Sequence, residues 1–165
     1  MADDTRRPIL PSAEHLALLK QGVGVSVASR DAGNLPNLVR AVGHRVEPSG
    51  EVTVILSGTD GGGVLANLRA NGAIAVVFSQ PSTHRTLQVK ANRVVITGAR
   101  AADLETVAQC REAMAAELAA IGFNREFARQ LLDAEPGDLV AVRFLPESAF
   151  DQTPGPKAGA PLATG

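Results

Sequence analysis

A polar loop in the middle of the chain contains several side chains that could bind a ligand. The apolar, β-branched segment Ala73–Phe78 precedes it, and the mixed segment Thr86–Thr97 follows. The side chains of the loop can donate or accept hydrogen bonds, and they belong to Ser79, Gln80, Ser82, Thr83, His84 and Arg85. Pro81 fixes its own φ and pushes Gln80 toward extended geometry, so we expect a stiff loop. It is either the edge of a ligand site or a tight connection whose hydroxyls bond to the backbone, and spacing alone favours neither.

A second stretch that could bind an anion is the glycine-rich turn Thr59-Asp60-Gly61-Gly62-Gly63, which leads into the helical pattern VLANLRAN. Free backbone N–H groups and the helix dipole make such a turn a potential phosphate cradle. The glycine spacing matches neither the dinucleotide-binding fingerprint nor the P-loop. Because Asp60 would repel an anion, an Asp- or Thr-capped helix after a flexible turn is the slightly favoured interpretation.

The three histidines and the single cysteine do not form a metal-ligand pattern. His15, His44, His84 and Cys110 lie far apart, without the short spacings of metal sites. We expect His44 to be a hydrogen-bonded structural residue of a strand and Cys110 to be a small hydrophobe on a helix. The sequence therefore predicts no metal site and shows no catalytic constellation by itself.

The elements around these stretches predict a mainly β fold with inserted helices. A capped helix from Ser12 to about Lys20 comes first, and Leu38–Val46 and Glu51–Ser57 form a hairpin around Pro48-Ser49-Gly50. Two further helices are predicted at Ala101–Gly122 and from Asn124 to about Ala134, with apolar side chains facing the core that include Leu104, Ile121, Phe127, Leu131 and Leu132. A last strand follows at Leu139–Leu145, and Ala73–Phe78 should be buried on both faces. The first strand of the chain is predicted where Val23, Val25 and Val27 alternate with Gly24, Ser26 and Ala28. The six strands, joined mostly by hairpins, favour one six-stranded antiparallel barrel, with helices between the third and fourth and between the fifth and sixth strands.

The chain divides into one domain, residues 1–150, and a tail rich in proline and glycine, residues 151–165. The tail has few groups that could offset the entropy of ordering. We expect its end to be disordered or to lie over a neighbouring surface, and removal of Pro156–Gly165 to leave folding nearly unchanged.

Composition excludes several classes of function. Sixteen basic and seventeen acidic residues give a net charge of −1, and tryptophan and tyrosine are absent, which argues against a nucleic-acid-binding surface. The N-terminus MADDTRRPIL is not followed by a long apolar run, so we expect neither a signal peptide nor a membrane span. One cysteine fits a reducing compartment, and the cytoplasm is the expected location.

Three segments resemble the pyridoxamine 5'-phosphate oxidase-like, FMN-binding split-barrel family. Arg40-Ala-Val-Gly-His-Arg45 resembles its Arg-x-Val-Leu-Leu-Lys strand, with Arg45 in the lysine position. Asn71–Phe78 resembles the stretch in which a helix ends and an apolar strand follows. Arg85-Thr86-Leu87-Gln88-Val89-Lys90-Ala91 resembles the family's Arg-Gln-Val-Arg-Val-x-Gly strand. The resemblance covers roughly residues 22–145.

The resemblance implies a homodimer with FMN bound between the two subunits. It implies phosphate or ring-edge contacts for Arg40 and Arg45, strand-end contacts for Ser57 and Gly58, and Thr86 in place of a flavin-contacting glutamine. The whole implied site comprises Arg40, Val42, Arg45, Ser57, Gly58, Gly62, Gly63, His84, Arg85 and Thr86. On an ideal strand Arg40 and Arg45 point to opposite faces, so we expect Gly43 to host a bulge or sharp twist between them.

The chain departs from the family pattern in two places. Gly62-Gly63-Val64 stands where the family has Ser-Arg-Lys, and the C-terminal arginine and tryptophan motifs of the true oxidase are missing. Backbone N–H groups, His84 or Arg85 could replace the lost positive charges. Pyridoxamine phosphate oxidation is therefore not expected. The predicted function is an FMN-dependent oxidoreductase for a small molecule, and the alternative is a non-catalytic split-barrel module that carries or senses flavin or haem. A deazaflavin is a further possible cofactor.

Overall fold

The structure is a computed structural model that describes residues 12–162. Its helices are α1 (Ala13–Leu19), α2 (Gly62–Asn71), α3 (Ala101–Ala120) and α4 (Arg125–Leu131), with a short 3-10 turn at Pro136–Asp138. Its strands are β1 (Gly24–Arg30), β2 (Pro36–Arg40), β3 (Gly43–Val46), β4 (Val52–Ser57), β5 (Ile74–Ser79), β6 (Thr86–Ala91), β7 (Val95–Gly98), β8 (Leu139–Phe144), β9 (Ser148–Asp151) and β10 (Ala160–Pro161).

These strands form two antiparallel sheets. The larger has the order β10-β9-β6-β5-β1-β2, and the smaller has the order β3-β4-β8-β7. The predicted single six-stranded barrel is therefore wrong, although the antiparallel arrangement and the inserted helices are confirmed. The barrel is not closed by strand pairing, because no ladder joins the two sheets within residues 12–162.

The second predicted strand, Leu38–Val46, is in fact two strands, and the chain changes sheet between them. The N–H of Ala41 donates to the carbonyl of Val25 in the larger sheet at 2.9 Å. The next N–H, that of Val42, donates to the carbonyl of Ile55 in the smaller sheet at 2.8 Å. Thr86–Thr97 divides in the same way, into β6 of the larger sheet and β7 of the smaller one. Each of these two stretches, which the sequence predicts as one strand, therefore contributes one strand to each sheet.

The β3–β4 hairpin is confirmed, and its strands pair from Gly43 opposite Ile55 to Val46 opposite Val52. Gly43, however, does not form a bulge. A Cβ at this position would come within 3.0 Å of the side chain of Val107 on α3 and 3.2 Å of Ile55. Glycine suits this position because α3 packs closely on the sheet.

The main core lies between the two sheets. It contains side chains from both of them that have no exposed surface, among them Val27, Val54, Leu56, Val76, Phe78 and Val142. At about 25 cal/mol per Å² of apolar surface, each such side chain contributes roughly 1.5–3 kcal/mol to folding. The alternating burial of β1, β5 and β6 leaves the other face of the larger sheet open.

The helices follow the sequence prediction in extent but only partly in orientation. Side-chain caps at Ser12 and Asn124 are confirmed. The α3–α4 contact buries Met114, Ala115, Leu118, Ala128 and Leu132. The expected inward orientation of other large side chains is wrong, because α4 is short and covers little of α3. Those left exposed are Leu104, Ile121, Phe127 and Leu131.

The C-terminal segment packs on the larger sheet as far as the structure describes it. β9 pairs with β6, and β10 pairs with β9. The N–H of Gln152 donates to the carbonyl of Thr86, and that of Leu162 donates to Ala149. The segment thus lies over a neighbouring surface of its own chain, which was one of the two expected outcomes. The prediction about the first ten residues lies outside the described part. Within residues 12–162, the helices are too short or too polar to cross a bilayer.

Candidate ligand-binding site

The open face of the larger sheet brings together residues from four strands. Cross-strand pairing aligns Arg40 on β2 with Ser26 on β1, Val77 on β5 and Gln88 on β6. Because directly paired residues project to the same side of a sheet, these four share one face. A neighbouring row on the same face contains Gly24, Ser79 and Thr86. We call this surface, with its two rows, the outer face.

The outer face is largely open within residues 12–162, apart from Gln152, whose side-chain NH2 donates to the Gln88 oxygen at 3.1 Å. Arg40 and Ser26 are exposed, and Val77 and Gln88 are half-buried. The expectation that Ala73–Phe78 is buried on both faces is therefore wrong, since β5 is fully buried on one face only. Leu38 on the same face of β2 is 70% exposed. A partly apolar sheet face left open in this way is available to a ligand or a second protein.

Arg40 is the cation of these two rows, and it has no partner within the described residues. Within residues 12–162, its guanidinium forms neither an ion pair nor a hydrogen bond. It lies on the last residue of the edge strand β2, just before the chain crosses to the smaller sheet. An exposed, unpaired guanidinium can bind two oxygens of a phosphate or carboxylate in its planar fork.

The N-terminus of α2 lies close to the same strand. A Cβ on Gly63 would come within 2.8 Å of the side-chain oxygen of Asn37, three residues before Arg40 on β2. Asn37 pairs with Ser29, whose buried hydroxyl donates to the carbonyl of Val64, so Asn37 and α2 lie on the inward face of the larger sheet. Arg40, three residues further along the strand, projects to the opposite, exposed face. One ligand could contact both only by passing around the edge strand β2.

The first turn of α2 keeps free donors. The predicted Asp or Thr cap is absent: Gly61 is the N-cap and makes no side-chain bond. Leu65 is the first residue of the helix whose N–H bonds back to the N-cap carbonyl. In the described part of the chain the N–H groups of Gly63 and Val64 therefore have no acceptor, as is usual for a first helical turn. A Cβ on Gly62 would meet no atom within 4 Å, so the space beside the turn is open.

Ser57 and Gly58 are bonded to Asp138, a residue that the sequence did not single out. The Ser57 hydroxyl donates to its carboxylate at 2.6 Å, and the Gly58 N–H donates to its carbonyl at 2.7 Å. The Thr59 N–H also donates to the carboxylate. The Ser57 bond first, and the Thr59 bond next, hold the pKa of Asp138 below its ordinary value. These donors fix the turn before α2 and are not free for a ligand.

Arg45 lies on the smaller sheet and is engaged by two carboxylates. Its Nη1 donates to Asp103 of α3 at 2.5 Å, and its Nε donates to Glu47 at 3.0 Å. The Asp103 side chain is only 2% exposed. Burial raises its pKa, but the Arg100 N–H and the Arg45 guanidinium outweigh burial, so the pKa lies below its ordinary value. The Arg100-x-x-Asp103 spacing at a helix start was a sequence signal for a capping role of Asp103, but not for its pairing with Arg45.

The loop between β5 and β6 is a tight connection whose polar groups bond to one another. The Gln80 and Arg85 backbones pair, and the Thr86 hydroxyl bonds to the His84 carbonyl and to Ser79. Glu117 of α3 accepts from the Ser82 N–H at 2.9 Å. Arg85 pairs with Glu14 at 2.6 Å. The exposed His84, with φ of 59°, is the loop side chain most available for an outside contact.

His44 is a hydrogen-bonded structural residue, as predicted, and it also lies against Cys110, a contact that the sequence did not indicate. One ring nitrogen of the buried His44 donates to the carbonyl of Leu19 at 2.9 Å, and the other lies 3.6 Å from the Cys110 sulfur. Burial lowers the pKa of His44, although the bond to Leu19 opposes this. Burial raises the pKa of Cys110, although its contact with the His44 backbone opposes this. Both groups are therefore held neutral and tie α1, β3 and α3 together.

The predicted site residues thus fall into separate groups. Arg40 lies on the outer face, the turn with Gly62 and Gly63 lies against the opposite face of β2, and Val42 is buried at the crossing between the sheets. Thr86 lies on the same outer face as Arg40, but on β6, which is separated from β2 by β5 and β1. Arg45 lies on the other sheet against α3.

The structural comparison points to one architecture. Neither the protein-family models nor the curated proteins give a match to this sequence. Several solved structures do match across nearly their whole length. The fold is that of the pyridoxamine 5'-phosphate oxidase-like, FMN-binding split barrels.

Three of these split-barrel structures illustrate the likeness. A candidate pyridoxamine 5'-phosphate oxidase from Lactobacillus delbrueckii has a TM-score of 0.55 at 15% identity, covering 90% of this chain and 97% of its own. HupZ from Group A Streptococcus has a TM-score of 0.57 at 19% identity, covering 91% of this chain and all of its own. An F420 reductase has a TM-score of 0.52 at 14% identity, covering 85% and 98%.

Proposed function

We propose that this split-barrel protein binds FMN and is a flavin-dependent oxidoreductase for a small molecule. The observation that carries the proposal is the Arg40 guanidinium at the end of β2, which has no partner within residues 12–162 and lies on the open face of the larger sheet. A phosphate held by Arg40 gains charge-assisted hydrogen bonds. The likeness in fold to FMN-binding split barrels supports the choice of cofactor.

The outer face suits the flat ring of such a cofactor. Gly24 and Ser26 on β1 leave little side-chain bulk beside Arg40, and a Cβ on Gly24 would meet only the Ser79 carbonyl, at 3.8 Å. The Gln88 side-chain NH2 could donate to a polar edge of the ring, since its Oε1 accepts from Gln152, whereas the Thr86 hydroxyl is engaged by the His84 carbonyl and Ser79. When bound, FMN supplies hydride or electron transfer. The residues of this chain bind and orient it.

We further propose that the protein is a homodimer whose second subunit covers the outer face. The exposed Leu38 and the half-buried Val77 supply apolar surface for such a contact. His84 and Arg85 at the tip of the β5–β6 loop could then contact the FMN of the partner subunit. Arg45 keeps one nitrogen, Nη2, outside its bonds to Asp103 and Glu47, and it would be a secondary contact.

A binding module that carries or senses flavin or haem is the second candidate function. One observation favours it: beside Arg40, the row Ser26, Val77 and Gln88 contains no side chain that titrates near neutral pH. The chain therefore places no general acid or base of its own in that row. Under this alternative the ligand binds but no substrate turns over.

The test is titration of FMN into the purified protein, followed by quenching of flavin fluorescence. Arg40→Ala should weaken FMN binding ten- to a hundredfold, because a charge-assisted hydrogen bond contributes about 1.5–3 kcal/mol. Arg40→Lys should recover part of the loss, because a point charge cannot reproduce the fork. Arg69→Ala, an exposed arginine at the other end of α2, is the matched control and should bind as the wild type does. Unchanged affinity in Arg40→Ala would refute this site.

Parallel titrations separate the cofactor alternatives. The deazaflavin F420 and haem are added under the same conditions, the first because an F420 reductase shares the fold. Tighter binding of F420 or haem than of FMN would reject FMN as the cofactor. Sedimentation with FMN present tests the dimer, and a protein that remains monomeric would reject the two-subunit site.

A further inference from the structure

A groove on the outer face lies beyond the proposed FMN surface. It has a volume of about 450 Å³ and runs across the far ends of β1, β5 and β6. Its central row, Ala28, Ala75 and Lys90, is displaced by two residues from the row that contains Arg40. The two rows are therefore about 7 Å apart along the strands. We call this the alanine groove.

The floor of the alanine groove is flat and apolar. Ala28 and Ala75 are directly paired on adjacent strands, and Ala73 extends the lining. Their methyl groups leave space that larger side chains fill elsewhere on the sheet. A flat floor made of backbone and methyl groups matches the face of a planar ring in shape and polarity. The volume is also within the usual range of small-molecule sites, roughly 300–1,000 Å³.

The rims of the groove carry two available cations. The Lys90 ammonium lies 5.1 Å from the centre of the Phe150 ring and has no carboxylate partner in residues 12–162. Arg30 on the opposite rim makes a long 3.4 Å contact with the carbonyl of Asp31. The one carboxylate in the lining, Glu147, accepts two bonds at 2.9 Å from Asn92. The charge facing the groove is thus positive on balance.

We propose that the alanine groove binds a planar organic anion, a conjugated ring that carries a carboxylate or phosphate group. The ring lies on Ala28 and Ala75, and the anionic group pairs with Lys90 or Arg30. Apolar contact supplies binding energy in proportion to the buried area, and the two cations provide selectivity for the anion. The ligand would be the substrate of the neighbouring flavin, and that assignment rests on the proposed function, whereas binding in the groove does not.

The test uses 2-naphthoate as the probe and its neutral relative 2-naphthylmethanol as the matched ligand control. Both are titrated into the full chain without FMN, and binding is followed by naphthalene fluorescence. We expect 2-naphthoate to bind at least tenfold more tightly than the neutral compound. Lys90→Ala should remove most of that preference, and Ala75→Leu, which fills the floor, should abolish binding of both compounds. Lys20→Ala, an exposed lysine away from the sheet, is the protein control and should bind as the wild type does.

The outcomes decide the proposal independently of FMN. Absence of 2-naphthoate binding, or equal binding of the neutral compound, would overturn it, even if FMN binds through Arg40. A protein that fails to bind FMN but binds 2-naphthoate with the expected variant pattern would reject the proposed function and support the groove. Repeating the titration with saturating FMN tests the position of the groove: unchanged 2-naphthoate affinity supports a separate subsite, and competition would overturn it. Denaturation curves for Ala75→Leu and Lys90→Ala confirm that each variant is folded.

Discussion

Replacement of Arg45 by alanine should destabilise the fold while leaving ligand binding largely intact. The guanidinium donates to Asp103 at 2.5 Å, and the carboxylate of Asp103 is almost fully buried. Removal of the arginine leaves a buried carboxylate with the Arg100 N–H as its main remaining partner. Hydrogen bonds to charged groups contribute about 1.5–3 kcal/mol, and the second bond, to the exposed Glu47, adds less. We therefore expect a loss of about 2–3 kcal/mol in the free energy of unfolding at neutral pH.

The pH dependence of this loss identifies its cause. In the folded protein the pKa of Asp103 lies below its ordinary value of 3.8. The stabilisation from Arg45 is therefore fully present above that value and is lost as the pH falls below it, when the folded state must take up a proton. The difference in stability between wild type and Arg45→Ala should shrink as the pH is lowered toward 3 and below.

The assay is urea denaturation of both proteins at several pH values, together with FMN titration at neutral pH. Arg143→Ala is the matched control, because Arg143 acts on Asp103 through its charge but makes no hydrogen bond to it in the described structure. This control should lose less than about 1 kcal/mol. An Arg45→Ala protein with wild-type stability, or with a loss that is constant from neutral to acid pH, would refute the reasoning.

Three further predictions concern other contacts. Burial lowers the pKa of His44 from its ordinary value of 6.5, so the wild-type free energy of unfolding should be highest above that pH. Below it, the free energy should decline by up to about 1.4 kcal/mol per pH unit. Denaturation curves of His44→Gln should lack this decline. Deletion of residues 154–165 should lower the free energy of unfolding by about 1–3 kcal/mol, because β10 and the hydrogen bond between Leu162 and Ala149 are lost. Composition alone led to the opposite expectation. An unchanged melting temperature in calorimetry would contradict this packing. Gly22→Ala should destabilise the protein by about 1–3 kcal/mol in urea denaturation, because the added Cβ would lie 2.3 Å from the carbonyl oxygen of Ala113 on α3. Gly137→Ala is the control, since a Cβ at Gly137 would meet no atom within 4 Å.

Local features of the sequence were enough to locate most elements. Ser12 and Asn124 cap their helices through side-chain bonds to N–H groups two or three residues away, so the signal is contained in a few positions. The turn of the β3–β4 hairpin contains Gly50, whose φ of 87° suits glycine, and the strands pair on either side of it. The resemblance in three short segments also predicted the split-barrel fold, which the structural comparison confirms.

Tertiary structure decided what sequence patterns could not: the number of sheets and the partners of charged groups. The crossing at Ala41 and Val42 depends on two successive N–H groups that bond to strands of different sheets, so the continuous pattern Leu38–Val46 gives no sign of it. Asp103 is 58 positions from Arg45, and Asp138 is 81 positions from Ser57, yet each pair is in direct contact. Arg40 and Arg45, the first and last residues of one sequence motif, thus have different roles. Helix α3 brings a carboxylate to Arg45, whereas the described chain brings none to Arg40. Hydrogen-bond partners are set by the approach of distant segments, and that is why only the folded chain distinguishes the two.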